Sequence, residues 1–313
     1  MFATLVDAPT LHAHMRDPDW AVFDCRFDLE DPDAGEGAYL IGHIPGAVYV
    51  HLDRALCAPR TGRNGRHPLP PTDLLAETFA RLGIDEHVQV IAYDDRGGGF
   101  AARLWWSLRY LGHPASAVLD GGIQAWIEAG FPLTTDPERR SRRTFVPRPR
   151  PDRLVTLEDL LGAQDLLLID SRSRERYLGE EEPLDPVAGH IPGARNRFWG
   201  TNLDPQGRFR SPESLRRSWR RLLGTRDSAQ AIVYCGSGVT GCHNILSMVH
   251  AGLHEPRLYA GSWSEWCSDP ARPIATGEEP PLSDGELALQ NFAASTQGER
   301  SPTGKGFGEQ RRR

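Results

Sequence analysis

The chain has 313 residues, 39% hydrophobic and 25% charged, with a net charge of −6 and five cysteines at 25, 57, 235, 242 and 267. That length suits two globular domains, each able to bury its own core, and the acidic balance excludes a general attraction for nucleic acid or acidic membranes. No segment approaches a membrane span, and an odd, scattered set of cysteines in a chain this long excludes a disulfide framework.

In chain order, the N-terminus lacks a basic region followed by a sustained apolar stretch, which makes the cytoplasm the expected location. Ala21-Val22-Phe23-Asp24-Cys25-Arg26 reads as a short buried strand ending in Asp-x-Arg, and His43-Ile44-Pro45-Gly46-Ala47 follows it. Residues 72–82 and 100–110 carry apolar side chains at helical spacing; between them lies a strand over 88–94 that ends on Asp94. Leu119-Asp120-Gly121-Gly122 with Trp126 closes the first half, and a polar, Pro/Arg-rich linker is predicted over 136–152. Its basic run reads as a solvated linker, not a nucleic-acid arm.

The same succession then returns. Leu167-Leu168-Ile169-Asp170-Ser171-Arg172 repeats the strand with its Asp-x-Arg, His190-Ile191-Pro192-Gly193-Ala194 repeats the second motif, and 212–223 has helical periodicity. The strand over 229–235 ends on Cys235 where the first copy has Asp94, and Tyr259-Ala260-Gly261-Ser262 with Trp266 repeats the last motif. Nearly constant offsets between the copies indicate a duplicated domain and exclude a solenoid of many short repeats. The predicted boundaries are 1–135 for the first domain, 153–277 for the second and 278–313 for a polar C-terminal tail. Alternating strands and amphipathic helices predict an α/β fold, each domain a mainly parallel sheet flanked by helices, with its chemistry at the carboxyl ends of strands.

Cys235 is the candidate nucleophile. It sits at a strand-to-helix turn in Tyr234-Cys235-Gly236-Ser237-Gly238-Val239-Thr240-Gly241-Cys242, where the glycines permit a tight turn that points successive N–H groups inward. The positive end of a helix starting near Thr240 adds to that cradle, so the thiolate is favoured over the thiol. A buried carboxylate offers no thiolate nucleophile, so the copy with Asp94 is predicted to be the inactive partner. Cys242, one turn into the helix, is predicted to pack in the core, as are Trp105, Trp106, Trp126, Trp263 and Trp266. Cys235, Cys242 and His243 miss the usual zinc spacings, so no metal is expected.

Over residues 1 to 275 this ordered set of motifs resembles the tandem rhodanese family, the thiosulfate/3-mercaptopyruvate sulfurtransferases. The resemblance rests on both His-Ile-Pro-Gly motifs, Arg176-Tyr177-Leu178-Gly179, the cysteine loop and Gly261-Ser262-Trp263-Ser264-Glu265-Trp266. It implies two rhodanese-like domains and a sulfur relay in which Cys235 takes a sulfane sulfur as a persulfide and passes it to a small thiol, cyanide or a reduced thioredoxin-like protein, with no metal or organic cofactor. Protein phosphatases also cradle a cysteine, but they place an arginine where this chain has Gly241. The run Cys-Gly-Ser-Gly-Val-Thr resembles the 3-mercaptopyruvate branch, which implies catalytic roles for Ser237, His67 and Asp53 beside Cys235. Gly236, Gly238, Val239 and Thr240 would then bind substrate through the loop, and Arg176 matches the family's first carboxylate-binding arginine. The second, usually about nine residues on, falls in the acidic stretch 180–187, leaving Arg103 and Arg195 as candidate substitutes. Thiosulfate as donor, or a non-catalytic rhodanese-like binding module, are the alternative readings.

Overall fold

The computed structural model describes residues 1–162 and 166–279. Ten short strands form two five-stranded sheets. The first sheet holds β1 (Leu5–Val6), β2 (Trp20–Asp24), β3 (Ala47–Tyr49), β4 (Gln89–Tyr93) and β5 (Ser116–Leu119) in the order β1-β5-β4-β2-β3. The second holds β6 (Leu154–Val155), β7 (Leu167–Asp170), β8 (Arg195–Asn196), β9 (Ala231–Tyr234) and β10 (Arg257–Tyr259) in the order β6-β10-β9-β7-β8. Every pairing is parallel, and adding five to each strand number of the first sheet reproduces the second. The duplication read from the sequence is therefore a duplication of topology, and the helices expected over 72–82, 100–110 and 212–223 form as Thr72–Arg81, Ala101–Tyr110 and Pro212–Leu223.

The repeated motifs are struts. Asp24 and Asp170 are fully buried, and each takes a charge-assisted pair from the arginine two residues on, Arg26 Nη2 at 2.6 Å and Arg172 Nη2 at 2.7 Å. The same Nη2 atoms also donate to the carbonyls of Gly42 and Gly189, just before the two His-Ile-Pro-Gly motifs. His43 and His190 stack on Tyr39 and Tyr177 with ring centroids 3.8 Å apart in both domains, and each bonds the tyrosine's backbone carbonyl through Nδ1 at 2.7 Å. Because the buried carboxylates and the Nδ1 atoms of these struts find partners close by, the motif pins a strand end to the next loop at little desolvation cost.

The central strands β4 and β9 deliver Asp94 and Cys235 at corresponding points. The helices that follow, Ala101–Tyr110 and Gly241–His250, pack against each other, and one core cluster runs across both domains through Trp105, Trp106, Phe209, Trp219, Val239 and Cys242. All five tryptophans assigned to packing are at most 1% exposed. At about 25 cal/mol per Å² over about 200 Å² each, such burial contributes about 5 kcal/mol per ring, more than a solvent-facing ligand cage would retain.

No residue of the segment 136–152 is buried. It has no strand or helix before Pro151, yet it lies along the first domain: Arg143 and Arg148 donate backbone N–H to Ala80 and Leu111, and Arg143 and Arg142 pair with Asp85 and Glu77. Its arginines meet acceptors of the chain's own surface, which is the physical reason they are not free. Of the tail predicted over 278–313, residues 280–313 lie outside the described residues.

No helix among the described residues is long and apolar enough to cross a membrane, and all five cysteines are free.

Candidate active site

β9 is buried along its whole length and ends at Tyr234; Cys235 opens the turn, and Thr240 caps the helix Gly241–His250. Gly238 takes φ +75°, and a Cβ there would overlap the Ala260 carbonyl, so the turn closes this tightly only with glycine. Cys235 is 2% exposed. Burial pushes its thiol up, but the Thr240 hydroxyl and the backbone N–H groups of Ser237, Val239 and Gly241 all point at the sulfur and hold it below the ordinary thiol range. The cradle anticipated from the glycine spacing is present, and it favours an anionic sulfur.

A second segment straps this turn down. Trp263 and Ser264 donate N–H to the carbonyls of Cys235 and Gly236 at 3.0 and 2.9 Å, and Ser262 Oγ accepts the Cys235 N–H at 3.2 Å. Ser262 does so from φ +57°, strain of the kind that a site retains when its neighbours over-determine it. The first domain repeats the strap, Ile123 N–H reaching the Asp94 carbonyl at 3.0 Å.

The first domain supplies the other wall. Gly65, at φ +82°, brings the backbone against Gly261, and Arg66 N–H donates to Ser264 Oγ at 3.0 Å. His67, 3% exposed, then places Nδ1 2.6 Å from Ser237 Oγ, and Asp53 Oδ1 lies 3.4 Å from Nε2. Burial, then the neighbouring Arg66, Arg60 and Arg103, push His67 down to about 3, so the ring is neutral. With a carboxylate on the Nε2 side, the ring proton is assigned there, leaving Nδ1 to accept the Ser237 hydroxyl proton. Asp53 is partly exposed and shares its Oδ1 with Arg60 at 3.4 Å. Cys235, Ser237, His67 and Asp53 thus converge although 182 residues separate the first from the last in sequence (235 − 53).

His243, fully buried beside the interface, is also pushed down to about 3, chiefly by burial, and His51, His113 and His250 are lowered for the same reason. As pH falls through about 6.5 the unfolded chain binds protons at these sites that the folded chain refuses. His67 and His243 alone make the unfolding free energy drop by up to about 2.7 kcal/mol per pH unit, a loss that continues until about pH 3. Urea midpoints measured between pH 7 and 5 should fall accordingly, and His243→Gln, which can keep the bonds to Gly97 O and Asn202, should flatten the slope. Midpoints that hold constant to pH 5 would show that these rings titrate normally.

The arginines fall out differently from the sequence expectation. Arg176 does stand over the loop, its Nη2 and Nη1 lying 3.4 and 3.5 Å from the point where Gly236 would carry a Cβ. Arg103 does not face the opening: it is fully buried and donates to the carbonyls of Gly238 at 2.7 Å and of Leu56 and His67 at 3.4 Å each. Those bonds tie the cysteine loop to the His67 loop, which is a positioning role. Arg195 is committed to the Glu279 carbonyl at 3.0 Å. The group that the sequence reading missed is Arg66, whose Nη2 lies 2.7 Å from the same point over Gly236. Asp185 stands nine residues after Arg176 and touches both guanidinium groups, at 3.3 Å from Arg66 Nε and 3.2 Å from Arg176 Nη2. Burial pushes the Asp185 carboxyl up, and Arg66 opposes it. The available signal was adjacency, since a site that contains His67 has Arg66 within reach.

Cys242 packs as expected, fully buried with its thiol 3.4 Å from the Gly238 carbonyl, and burial pushes it up to about 12. Among the described residues no cluster of His, Cys, Asp and Glu converges as a metal site.

The rhodanese-like domain model matches residues 7–129 and again 154–269. Among known proteins, the chain is 47% identical over 281 residues to a Pseudomonas aeruginosa protein named "Probable 3-mercaptopyruvate sulfurtransferase", covering 88% of this chain and 99% of that one. It is 31% identical over 229 residues to the thiosulfate sulfurtransferase of Gallus gallus, covering 72% of this chain and 78% of that one. The solved 3-mercaptopyruvate sulfurtransferase from Leishmania major superposes with a TM-score of 0.74 at 29% identity, over 84% of this chain and 74% of that one. Two matched segments on two sheets of one topology, with a cradled cysteine in the second, make this chain a member of the rhodanese-like family that carries the domain twice.

Proposed function

We propose that the chain is a sulfurtransferase that moves sulfur from 3-mercaptopyruvate through a Cys235 persulfide to a thiol or cyanide. The observation that carries this reading is the line Asp53, His67, Ser237 arriving beside a cysteine whose surroundings favour the thiolate. The thiolate attacks the donor sulfur, the carbon–sulfur bond breaks, and its electron pair leaves on carbon as the enolate of pyruvate. The donor's thiol proton ends on that carbon, relayed by the Ser237 hydroxyl against the neutral His67 ring, while Asp53 holds the tautomer. What remains is Cys235–S–S⁻, in which the same N–H cradle serves the new anion. Attack by cyanide or a thiolate on the outer sulfur then returns Cys235 to thiolate. A reduced thioredoxin-like protein would serve as acceptor by the same chemistry. Free cysteines suit a reducing compartment and support a cytoplasmic enzyme.

Two guanidinium groups over Gly236 also suit an inorganic dianion, so thiosulfate is the second reading. Steady-state turnover with each donor, cyanide as acceptor, separates the two: kcat/KM should be higher with 3-mercaptopyruvate, and equal or better turnover of thiosulfate reverses the assignment. A purely binding module is disfavoured because it has no use for a thiolate cradle.

A further inference from the structure

We propose that Arg103 of the first domain is a positioning residue for Cys235 of the second: its guanidinium holds and polarises one peptide, Gly238–Val239, whose far side faces the sulfur. This goes beyond the tie between loops described above, and it rests on the reading of Cys235 as the nucleophile, whichever donor loads it.

Arg103 is fully buried, and among the described residues its charged head has carbonyl partners and no carboxylate. Nη1 donates to Gly238 O at 2.7 Å, Nη2 to Leu56 O and His67 O at 3.4 Å each, and Nε is buried without an acceptor. The titratable groups around it are neutral, since burial pushes the thiols of Cys57 and Cys242 up to about 12 and the His67 ring down to about 3. A cation buried without a counter-ion carries a desolvation cost, so a negative charge that forms nearby is favoured. The Cys235 sulfur is such a charge, one peptide away. A trans peptide points its C=O and N–H in opposite directions. With Arg103 on the Gly238 carbonyl, the Val239 N–H is directed into the cradle, where it is one of the donors to the sulfur. Drawing electrons toward the oxygen makes that N–H a stronger donor, and holding the oxygen keeps the N–H from turning away.

The first domain carries the mirror arrangement without the charge. Gly97 and Gly98 stand as far after Asp94 as Gly238 and Val239 do after Cys235. Gly98 N–H donates to Asp94 Oδ1 at 2.8 Å, and the Gly97 carbonyl takes its bond from the second domain, from His243 Nε2 at 3.0 Å. That ring is neutral, pushed down to about 3 by burial. Each domain thus holds the other's turn by the same carbonyl. A cation stands behind the turn that carries a thiol, and a neutral ring behind the turn that already carries a carboxyl.

The test follows iodoacetamide alkylation of Cys235 in the full chain between about pH 5 and 10, by the mass of the Cys235 peptide, so that no sulfur donor enters. In the wild type the rate should rise along a limb below the ordinary thiol range; a limb at about 8.5 would defeat the thiolate cradle itself and the proposed function with it. Given a low limb, Arg103→Gln, neutral but still able to donate to a carbonyl, should move it up by about one pH unit. On the rising limb alkylation should then be about 3-fold slower, because a tenfold loss of thiolate is partly offset by a more basic sulfur, and the alkaline plateau should be no lower. Arg103→Lys, which keeps the charge, should lie nearer the wild type, and Cys242 staying unmodified shows that the core is intact. His243→Ala, which loosens the same domain contact from the other side, should leave the Cys235 limb in place. A limb unmoved in Arg103→Gln, displaced as far in Arg103→Lys, or displaced equally by His243→Ala overturns the relay and leaves the sulfurtransferase reading standing.

Discussion

Replacing Cys235 by serine should abolish sulfur loading from either donor, with turnover reduced by at least about 10³-fold. The oxygen stays protonated at neutral pH, and it cannot form the bond that stores sulfur. The cradle of N–H groups from Ser237, Val239 and Gly241 would then have no anion to stabilise. Intact mass after donor exposure reads the outcome directly, as a gain of one sulfur atom in the wild-type chain and none in Cys235→Ser. Cys242→Ser should keep the gain, because burial holds that thiol protonated, pushed up to about 12, and packs it in the core away from the opening. In the wild-type chain the loading rate should rise with pH along a limb below the ordinary thiol range of about 8.5, since only the thiolate attacks. No His67 limb should appear between pH 5 and 8, where the ring is already neutral. Loading of the serine variant, or a limb at the ordinary thiol value, would show that the cradle does not act on this sulfur.

The second large effect falls on stability and lies in the other domain. Asp94, at the end of β4, is fully buried, and its carboxylate fills the cradle that Cys235 leaves open in the second copy. Oδ1 accepts the N–H groups of Arg96 and Gly98, and Oδ2 those of Phe100 and Ala101, all at 2.8 Å. Burial pushes this carboxyl up, and the four amide bonds pull it back. The first domain thus has the same ring of amides with a side-chain carboxyl of its own in it, which accounts for why that loop remains well formed. Asp94→Ala would leave four donors without a partner, two of them buried and two half-buried; at about 1–3 kcal/mol for each buried donor and less for the others, which water can reach, a loss of about 3–5 kcal/mol is expected. Asp94→Asn keeps one acceptor oxygen but turns an amide NH₂ toward two donors, for a smaller loss of about 2–3 kcal/mol. Urea unfolding midpoints check both. An alanine variant as stable as the wild type would mean that solvent satisfies the loop and that the carboxylate is dispensable.

Both effects trace to one duplicated turn with different occupants, and that much was readable from residue order. The strand ends at Asp94 and Cys235, the Asp-x-Arg and His-Ile-Pro-Gly struts and the glycine collar are all local patterns. Their partners lie a few residues away or on the neighbouring strand, so periodicity and spacing carry them into sequence. His67 and Asp53 were legible only through the family resemblance, because nothing in their own surroundings marks them as neighbours of Ser237, 170 residues on from His67.

What the sequence alone determined is the repeated fold and the place of Cys235 at a strand end inside a glycine-rich turn, since each depends on short runs of backbone geometry. Which arginines face the sulfur was decided by tertiary structure. Arg103 looked available and is consumed by three carbonyls; Arg66 looked incidental and stands over Gly236; Asp185, in an acidic stretch that seemed to lack a carboxylate-binding role, bridges the two charges. A guanidinium's role follows from the acceptors left over once two domains have docked, and that remainder is a property of the packed interface, invisible in any stretch of chain short enough to be read for pattern.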